Sequence, residues 1–154
     1  MIEQLFVWLG NTAPGRYLAG STAAFAATEA LHIVALSLVG GVILVVDLAV
    51  LGVVLKRLRA EAVLQRTLGV FCVGLGLVVV SGVLLVAAGP YKYYTNPLFP
   101  LKLGFLLLAL IAHFLLQRKL KARQDTGAGV RVLAVASLTL WTAVVVAGRW
   151  LGLI

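Results

Sequence analysis

The stretch EALHIVALSLVGGVILVVDLAVLGVVL, residues 29–55, decides the fold of this chain. It is apolar except for a few polar side chains, among which Glu29, His32 and Asp47 are ionisable. About 20 apolar residues in a helix cross the roughly 30 Å hydrocarbon core of a bilayer. The stretch therefore predicts a membrane-spanning helix. Ionisable groups in such a helix cost about 2.5–3.5 kcal/mol each on insertion scales, so they mark either paired charges or a functional site.

The three ionisable residues of this stretch follow one face of the predicted helix. Glu29 and His32 are about one turn apart. From His32 to Asp47 the helix turns through about 1500°, which is about 60° past whole turns, and rises about 22 Å. The pattern predicts one chemically distinct face on an otherwise apolar helix.

Composition indicates a membrane protein. The chain has 154 residues, of which 62% are hydrophobic and 12% charged, and its mean hydropathy is +1.10. Soluble chains are about 25% charged, and a fold of this size could not bury so much apolar surface. We expect an all-α integral membrane four-helix bundle that forms a single domain over residues 1–154, with its spanning helices, named one to four, at 22–55, 67–88, 98–120 and 130–150. The sequence pattern of residues 2–9 predicts a short interfacial helix, and that of residues 10–15 predicts a turn.

The positive charge predicts topology rather than nucleic-acid binding. The formal net charge is +8, and nine of the 13 Lys and Arg residues fall at 56–66 and 118–131, between helices one and two and between helices three and four. By the positive-inside rule these loops face the cytoplasm, so both termini face outward. Membrane lipid is the expected partner. Apolar helix faces left uncovered suit a homo-oligomer or a larger membrane complex.

Helix three carries a second set of polar residues on one face. Lys102 and His113 are separated by about 1100°, close to three whole turns, and by about 16 Å along the axis. Helices one and three run in the same direction in this topology. Side by side, they would place Lys102 near Glu29 and His32 in an outer group, and His113 near Asp47 in an inner pair. Arg149, at the outer end of helix four, lies at the depth of the outer group.

Three explanations fit this constellation. The polar residues can pair with one another to fix helix register, Asp47 with His113 and Glu29 with Lys102 or Arg149. Alternatively, inward-facing histidines are the usual axial ligands of b-type haem in helical bundles, with cations placed for its propionates. The third is handling of copper ions or protons. Because His32 and His113 differ in depth by about 10 Å, His32 as sole protein ligand fits as well as His32 with a second group.

Three segments resemble an uncharacterised family of bacterial four-helix inner-membrane proteins. They are LHIVALSLVGGVILVVDLAVLG, KYYTNPLFPLKLGFLLLAL and AGRW, and the likeness extends over nearly the whole chain. The resemblance implies a multi-pass protein of the bacterial inner membrane. It implies no activity.

A more distant resemblance is to the HemJ-type membrane protoporphyrinogen IX oxidase, a four-helix protein of similar length. EALHIVAL is similar to the Lys-x-x-His-Ile start of that family's first helix, with Glu29 in place of the Lys. PLKLGFLLLALIAHFLL is similar to its third helix, with Lys102 and His113 in register and Ala112 in place of a Tyr. The resemblance implies that His32 binds haem and that Lys102 contacts the tetrapyrrole. Copper resistance D membrane proteins share a looser His-then-glycine pattern.

The chain departs from the oxidase after the glycines of helix one. Asp47 stands where that family has a cation-bearing motif, so the resemblance implies a tetrapyrrole site more than an oxidase activity. The sequence has no Walker, zinc or nucleophile-elbow motif, and we assign no catalytic residue. Our hypothesis is a haem b site with His32 as iron ligand and Lys102 and Arg149 as carboxylate contacts. Asp47 with His113 would be an inner pair able to relay a proton. The alternative is a membrane subunit or assembly factor whose buried charges only specify packing.

Overall fold

The computed structural model describes residues 2–122 and 127–153, with the side chains of residues 3–122 and 127–149. Within those ranges the chain folds into helices without strands, which confirms the all-α prediction. In chain order the helices are α1 (Ile2–Gly10), α2 (Ala13–Gly20), α3 (Thr22–Val50), α4 (Ala60–Ala88), α5 (Pro90–Thr95), α6 (Leu98–Lys121) and α7 (Ala128–Leu153).

Four of these helices are long and apolar enough to cross a membrane: α3, α4, α6 and the Ala128–Arg149 part of α7. They correspond to the predicted helices one to four. The chain is therefore a multi-pass membrane protein with four long apolar helices compatible with a membrane bundle.

The N-terminal segment contains more helix than predicted. Residues 10–15 were expected to form a turn, but α2 begins at Ala13. Thr12 makes this start favourable because its side-chain oxygen accepts a hydrogen bond from the Gly15 amide, and because Pro14 follows within the first turn, where a proline costs no hydrogen bond. The turn between α1 and α2 is correspondingly short.

Two predicted helix ends are wrong by several residues. Helix one was expected to reach Leu55 but ends at Val50, because Gly52 and Leu55 both adopt positive φ, at 73° and 51°, which breaks the helical path. Helix two was expected to begin at 67 but begins at Ala60. Its first turns belong to the core, since Ala60, Val63 and Leu64 are buried. Residues 123–126 of the second basic loop lie outside the described residues.

The chain divides into two units, which are described separately. Unit one comprises residues 1–39 and 72–99, and unit two comprises residues 40–71 and 100–154. Unit one thus contains α1, α2, α5, the first part of α3 and the second part of α4. In unit one, the Phe6 ring packs against Tyr94 and Phe99 at centroid distances of 5.8 and 6.0 Å. These aromatic contacts pack α1 against the segment that follows α4.

Unit two contains the rest of α3 and α4 together with α6 and α7, and its core follows a coiled-coil repeat. Buried residues of α7 recur at alternating spacings of four and three: Val130, Ala134, Ser137, Trp141 and Val144. This 3.5-residue period keeps one seam facing neighbouring helices. Asp47 and His113 occupy the equivalent buried stripes of α3 and α6. The polar residues of unit two therefore lie at core positions.

Candidate functional site

His32 is held by a chain of two hydrogen bonds in unit one. Its ring is half-buried on α3, and its Nδ1 lies 2.8 Å from Ser81 Oγ on α4. The Ser81 hydroxyl donates to the Leu77 carbonyl of its own helix, so its single hydrogen is already committed. His32 Nδ1 must then carry the hydrogen and donate it to Ser81. In the neutral form of this tautomer, the lone pair lies on Nε2.

This arrangement is the one that a metal-ligating histidine requires. Ligating imidazoles almost always donate their other N–H to a neighbouring acceptor, which fixes both the tautomer and the ring orientation. The His32 ring also packs on the backbone of α4, since a Cβ placed at Gly82 would lie 3.4 Å from His32 Cε1. Sequence reasoning identified His32 but missed Ser81, because a serine in an apolar helix usually bonds only to its own backbone.

Glu29 is exposed one turn before His32. In the same unit, burial raises the pKa of Tyr93 above its ordinary value, and the charge of Glu29 raises it further. Tyr93 lies on α5, outside the four candidate spans, and it remains a neutral hydrogen-bonding phenol at physiological pH. Pairing of Glu29 with Lys102 or Arg149 stays a prediction.

Lys102 and Arg149 lie at one end of unit two. Lys102 is half-buried on α6, and its side chain packs over the backbone of α7, where a Cβ at Gly148 would lie 3.3 Å from both Cε and Nζ. Gly148 thus leaves room for the lysine. Arg149 follows directly and is exposed. Arg149 is therefore the next residue along α7 from the glycine that Lys102 covers.

Asp47 is completely buried in unit two, with Ser137 of α7 beside its carboxyl group. Both carboxyl oxygens and the Ser137 hydroxyl nevertheless have no hydrogen-bond partner among the described residues. Ser137 differs in this respect from Thr139 and Thr142 on the same helix, whose exposed hydroxyls donate to the carbonyl four residues earlier. Among the described residues, the Ser137 hydroxyl is thus not bonded to the backbone of its own helix.

His113 is also completely buried, and both of its ring nitrogens lack a partner within the described part of the chain. Its ring packs on Phe71 of α4, with centroids 4.9 Å apart and planes tilted by 34°. The predicted direct pair of Asp47 with His113 is therefore not formed. In this structure the His113 ring stacks on Phe71 and forms no hydrogen bond with Asp47.

Two more buried polar side chains of unit two each have one nitrogen without a partner among the described residues: Gln117, one turn after His113, and Trp141, one turn after Ser137. Sequence reasoning missed Gln117 and did not assign Trp141 a neighbour. The four-three spacing of Ser137, Trp141 and Val144 was the available signal for a buried seam. An unpartnered buried polar group costs about 1–3 kcal/mol, so this cluster is energetically expensive.

Two cavities found among the described residues are not lined by His32. One is lined by Arg131, Val132, Val135 and Ala136, and the other by residues of α1 and α5. No group of three or more His, Cys, Asp or Glu side chains that could hold a metal ion occurs in the described part of the chain.

The sequence matches the model of a protein family described as Family of unknown function (DUF6644) over residues 5–154. No curated protein and no solved structure matches the chain. The predicted membership in a family without assigned function is confirmed. The resemblances to the HemJ-type oxidase and to copper resistance D proteins stay predictions.

Proposed function

This chain belongs to DUF6644, a family of unknown function, and from its own residues we propose that it binds a b-type haem or a related tetrapyrrole in the membrane, with His32 as the iron ligand. The observation that carries the proposal is the hydrogen-bond chain from His32 Nδ1 through Ser81 to the Leu77 carbonyl. It puts the lone pair on Nε2, which is the form that coordinates iron.

In unit two by itself, we propose Lys102 and Arg149 as contacts for acidic substituents such as those of a tetrapyrrole. The Lys102 ammonium lies over Gly148, where the absence of a side chain leaves room for it. Exposed Arg149 offers the planar, bidentate geometry that suits a carboxylate. A bound haem would supply one-electron redox chemistry, while the protein supplies its ligand, orientation and charge environment.

The proposal includes a location and an orientation. The exposed cations of the loop after α3, Lys56, Arg57 and Arg59, and those in the last turn of α6 support placing these loops at the cytoplasmic face of a bacterial inner membrane. Both termini then face outward, and α1 lies at the outer interface. Exposed apolar faces on all four long helices suit contact with lipid and with a second copy or a larger complex.

Haem titration of the purified protein tests the role of His32. We expect a Soret band for the wild type, no such band for His32→Ala, and about 10–100-fold weaker binding for Ser81→Ala, because the ring loses the acceptor that orients it. Ser37→Ala is the matched control: Ser37 is also a helical serine of unit one, but it is exposed and bonds only to its own Ile33 carbonyl. It should bind as the wild type does.

A non-enzymatic packing role is the second candidate. Hydrogen bonds between helices, such as that of His32 to Ser81, stabilise association in lipid by about 0.6 kcal/mol on average without any cofactor. In that case His32→Ala and Ser81→Ala would lower stability to a similar extent, and neither the wild type nor the variants would bind haem. Haem titration of the same three proteins therefore distinguishes the haem-binding function from the packing role.

A further inference from the structure

Three polar side chains of unit two, Asp47, His113 and Ser137, lie at one level of its core. α6 and α7 are joined by a short connection and run antiparallel, and the Lys102 side chain of α6 reaches Gly148 of α7. His113 follows Lys102 by 11 residues, and Ser137 precedes Gly148 by 11 residues. At 1.5 Å per residue both lie about 16 Å from that contact, hence at the same depth.

The other two helices contribute to the same layer. Asp47 of α3 lies beside Ser137, and Phe71 of α4 stacks on His113. Each helix of unit two thus supplies one residue. Apart from Asp47, His113 is the one fully buried titratable group among the described residues, and the side chain facing the layer from α4 is the apolar Phe71.

Among the residues that the structure describes, the carboxyl group in this layer has no counter-charge. The salt bridge found among the described residues joins Arg59 and Glu61 at the surface, and Asp47 takes no part in it. An isolated carboxylate is far more expensive to bury than a neutral carboxylic acid. Of the positively charged species that could neutralise Asp47, a proton needs the least space and the fewest ligands.

Ser137 can form a hydrogen bond with this carboxyl group in both of its protonation states. A hydroxyl can donate one hydrogen bond and accept others. When Asp47 is ionised, the Ser137 O–H would donate to a carboxylate oxygen. When Asp47 is protonated, its O–H would donate to Ser137 Oγ, and the serine hydrogen would turn to the Leu133 carbonyl four residues earlier. Ser137 can alternate in this way because its hydroxyl is not committed to its own helix.

We propose that Asp47 takes up and releases a proton inside unit two, with Ser137 as its hydrogen-bond partner in both states. The proton adds to a carboxylate oxygen on uptake and returns to water on release, and no other bond changes. Asp47 lies within the last turn of α3, so the exposed segment that follows Val50 is about one helical turn, roughly 5 Å, away. The proposal is independent of whether His32 binds a tetrapyrrole.

Infrared difference spectroscopy of the full chain in lipid vesicles, recorded across pH steps, tests this proposal. We expect a protonated-carboxyl C=O band whose amplitude changes with pH and which is lost in Asp47→Asn. In Ser137→Ala the band should move to higher frequency, because the acid loses its hydrogen-bond partner. Ser137→Thr, which restores a hydroxyl, should return it toward its original position, and Ser37→Ala should leave it unchanged.

Two results would overturn the proposal. One is a set of titrating carboxyl bands that is the same in the wild type and in Asp47→Asn. The other is a band that stays in place in Ser137→Ala. If Asp47→Asn does not accumulate as folded protein, the comparison of Ser137→Ala with Ser137→Thr still decides the matter, since neither removes the carboxyl group.

Discussion

At the scale of single residues, Gly40 on α3 lies directly against the Trp141 side chain of α7 in unit two. A Cβ at this glycine would overlap Nε1 of Trp141, whose indole is buried and rigid, and would lie 3.3 Å from its Cδ1. The next residue, Gly41, has nothing within 4 Å of the equivalent position. Two adjacent glycines in one helix therefore have opposite surroundings.

Gly40→Ala is predicted to destabilise the protein by about 1–3 kcal/mol, because a large aromatic side chain in a packed core cannot move aside without strain. Gly41→Ala is the matched control and should be neutral or slightly stabilising, since alanine favours a helix over glycine by about 0.5–1 kcal/mol. Thermal unfolding in one detergent compares the two. Equal melting temperatures would contradict the close packing of Gly40 on Trp141.

Some residues of the candidate sites could be predicted from the sequence and others could not, and the difference has a physical reason. His32, Asp47 and His113 could be found because ionisable groups are rare and costly in an apolar helix. Ser81 and Ser137 could not, because serine satisfies its hydroxyl within any helix and its presence alone carries little information. Whether such a hydroxyl faces its own backbone or a neighbouring helix depends on register, which is a property of the packed helices.

At the scale of elements, the segment after α3 shows why helix ends were harder to predict than helices. Residues 51–55 are as apolar as the helix before them, so hydropathy extended helix one to Leu55. The structure ends the helix at Val50, and Leu55 adopts a φ of 51°, which costs a residue with a Cβ about 1 kcal/mol or more. Hydropathy identifies an apolar environment and does not detect backbone turns.

Leu55→Gly is predicted to leave stability unchanged or to raise it slightly, because relief of the positive φ offsets the greater freedom of glycine in the unfolded chain. Leu58→Gly is the control, since Leu58 is exposed to nearly the same extent, 43% against 45%, and has no positive φ. It should be less stable than Leu55→Gly by about 1 kcal/mol. A larger loss for Leu55→Gly in thermal unfolding would count against the strained turn.

At the scale of the whole molecule, the sequence predicted the helical class and the four long apolar helices, because a charge-poor stretch of about 20 residues in lipid has few alternatives to a helix. The relation of individual polar residues was less predictable. Asp47 and His113 were expected to bond directly, whereas His113 stacks on Phe71 and Ser137 lies beside Asp47. Complementary charge at similar depth does not determine which side chains touch.

Membrane topology gives a prediction for the whole chain. In a Cys72→Ser background, which removes the single cysteine, Tyr91→Cys and Lys56→Cys each introduce a thiol at an exposed position. We expect a membrane-impermeant maleimide added to intact bacterial cells to label Tyr91→Cys, and to label Lys56→Cys only after the cells are opened. The reverse pattern would place the basic loops outside and refute the proposed orientation.

The most direct measurement is the visible absorption spectrum of the full chain purified from cells supplied with excess haem. We expect a Soret band of about one haem per chain, which is retained in Ser37→Ala and lost in His32→Ala although the folded protein still accumulates. A colourless wild type, or a band of equal intensity in His32→Ala, would contradict the claim that His32 Nε2 is an iron ligand.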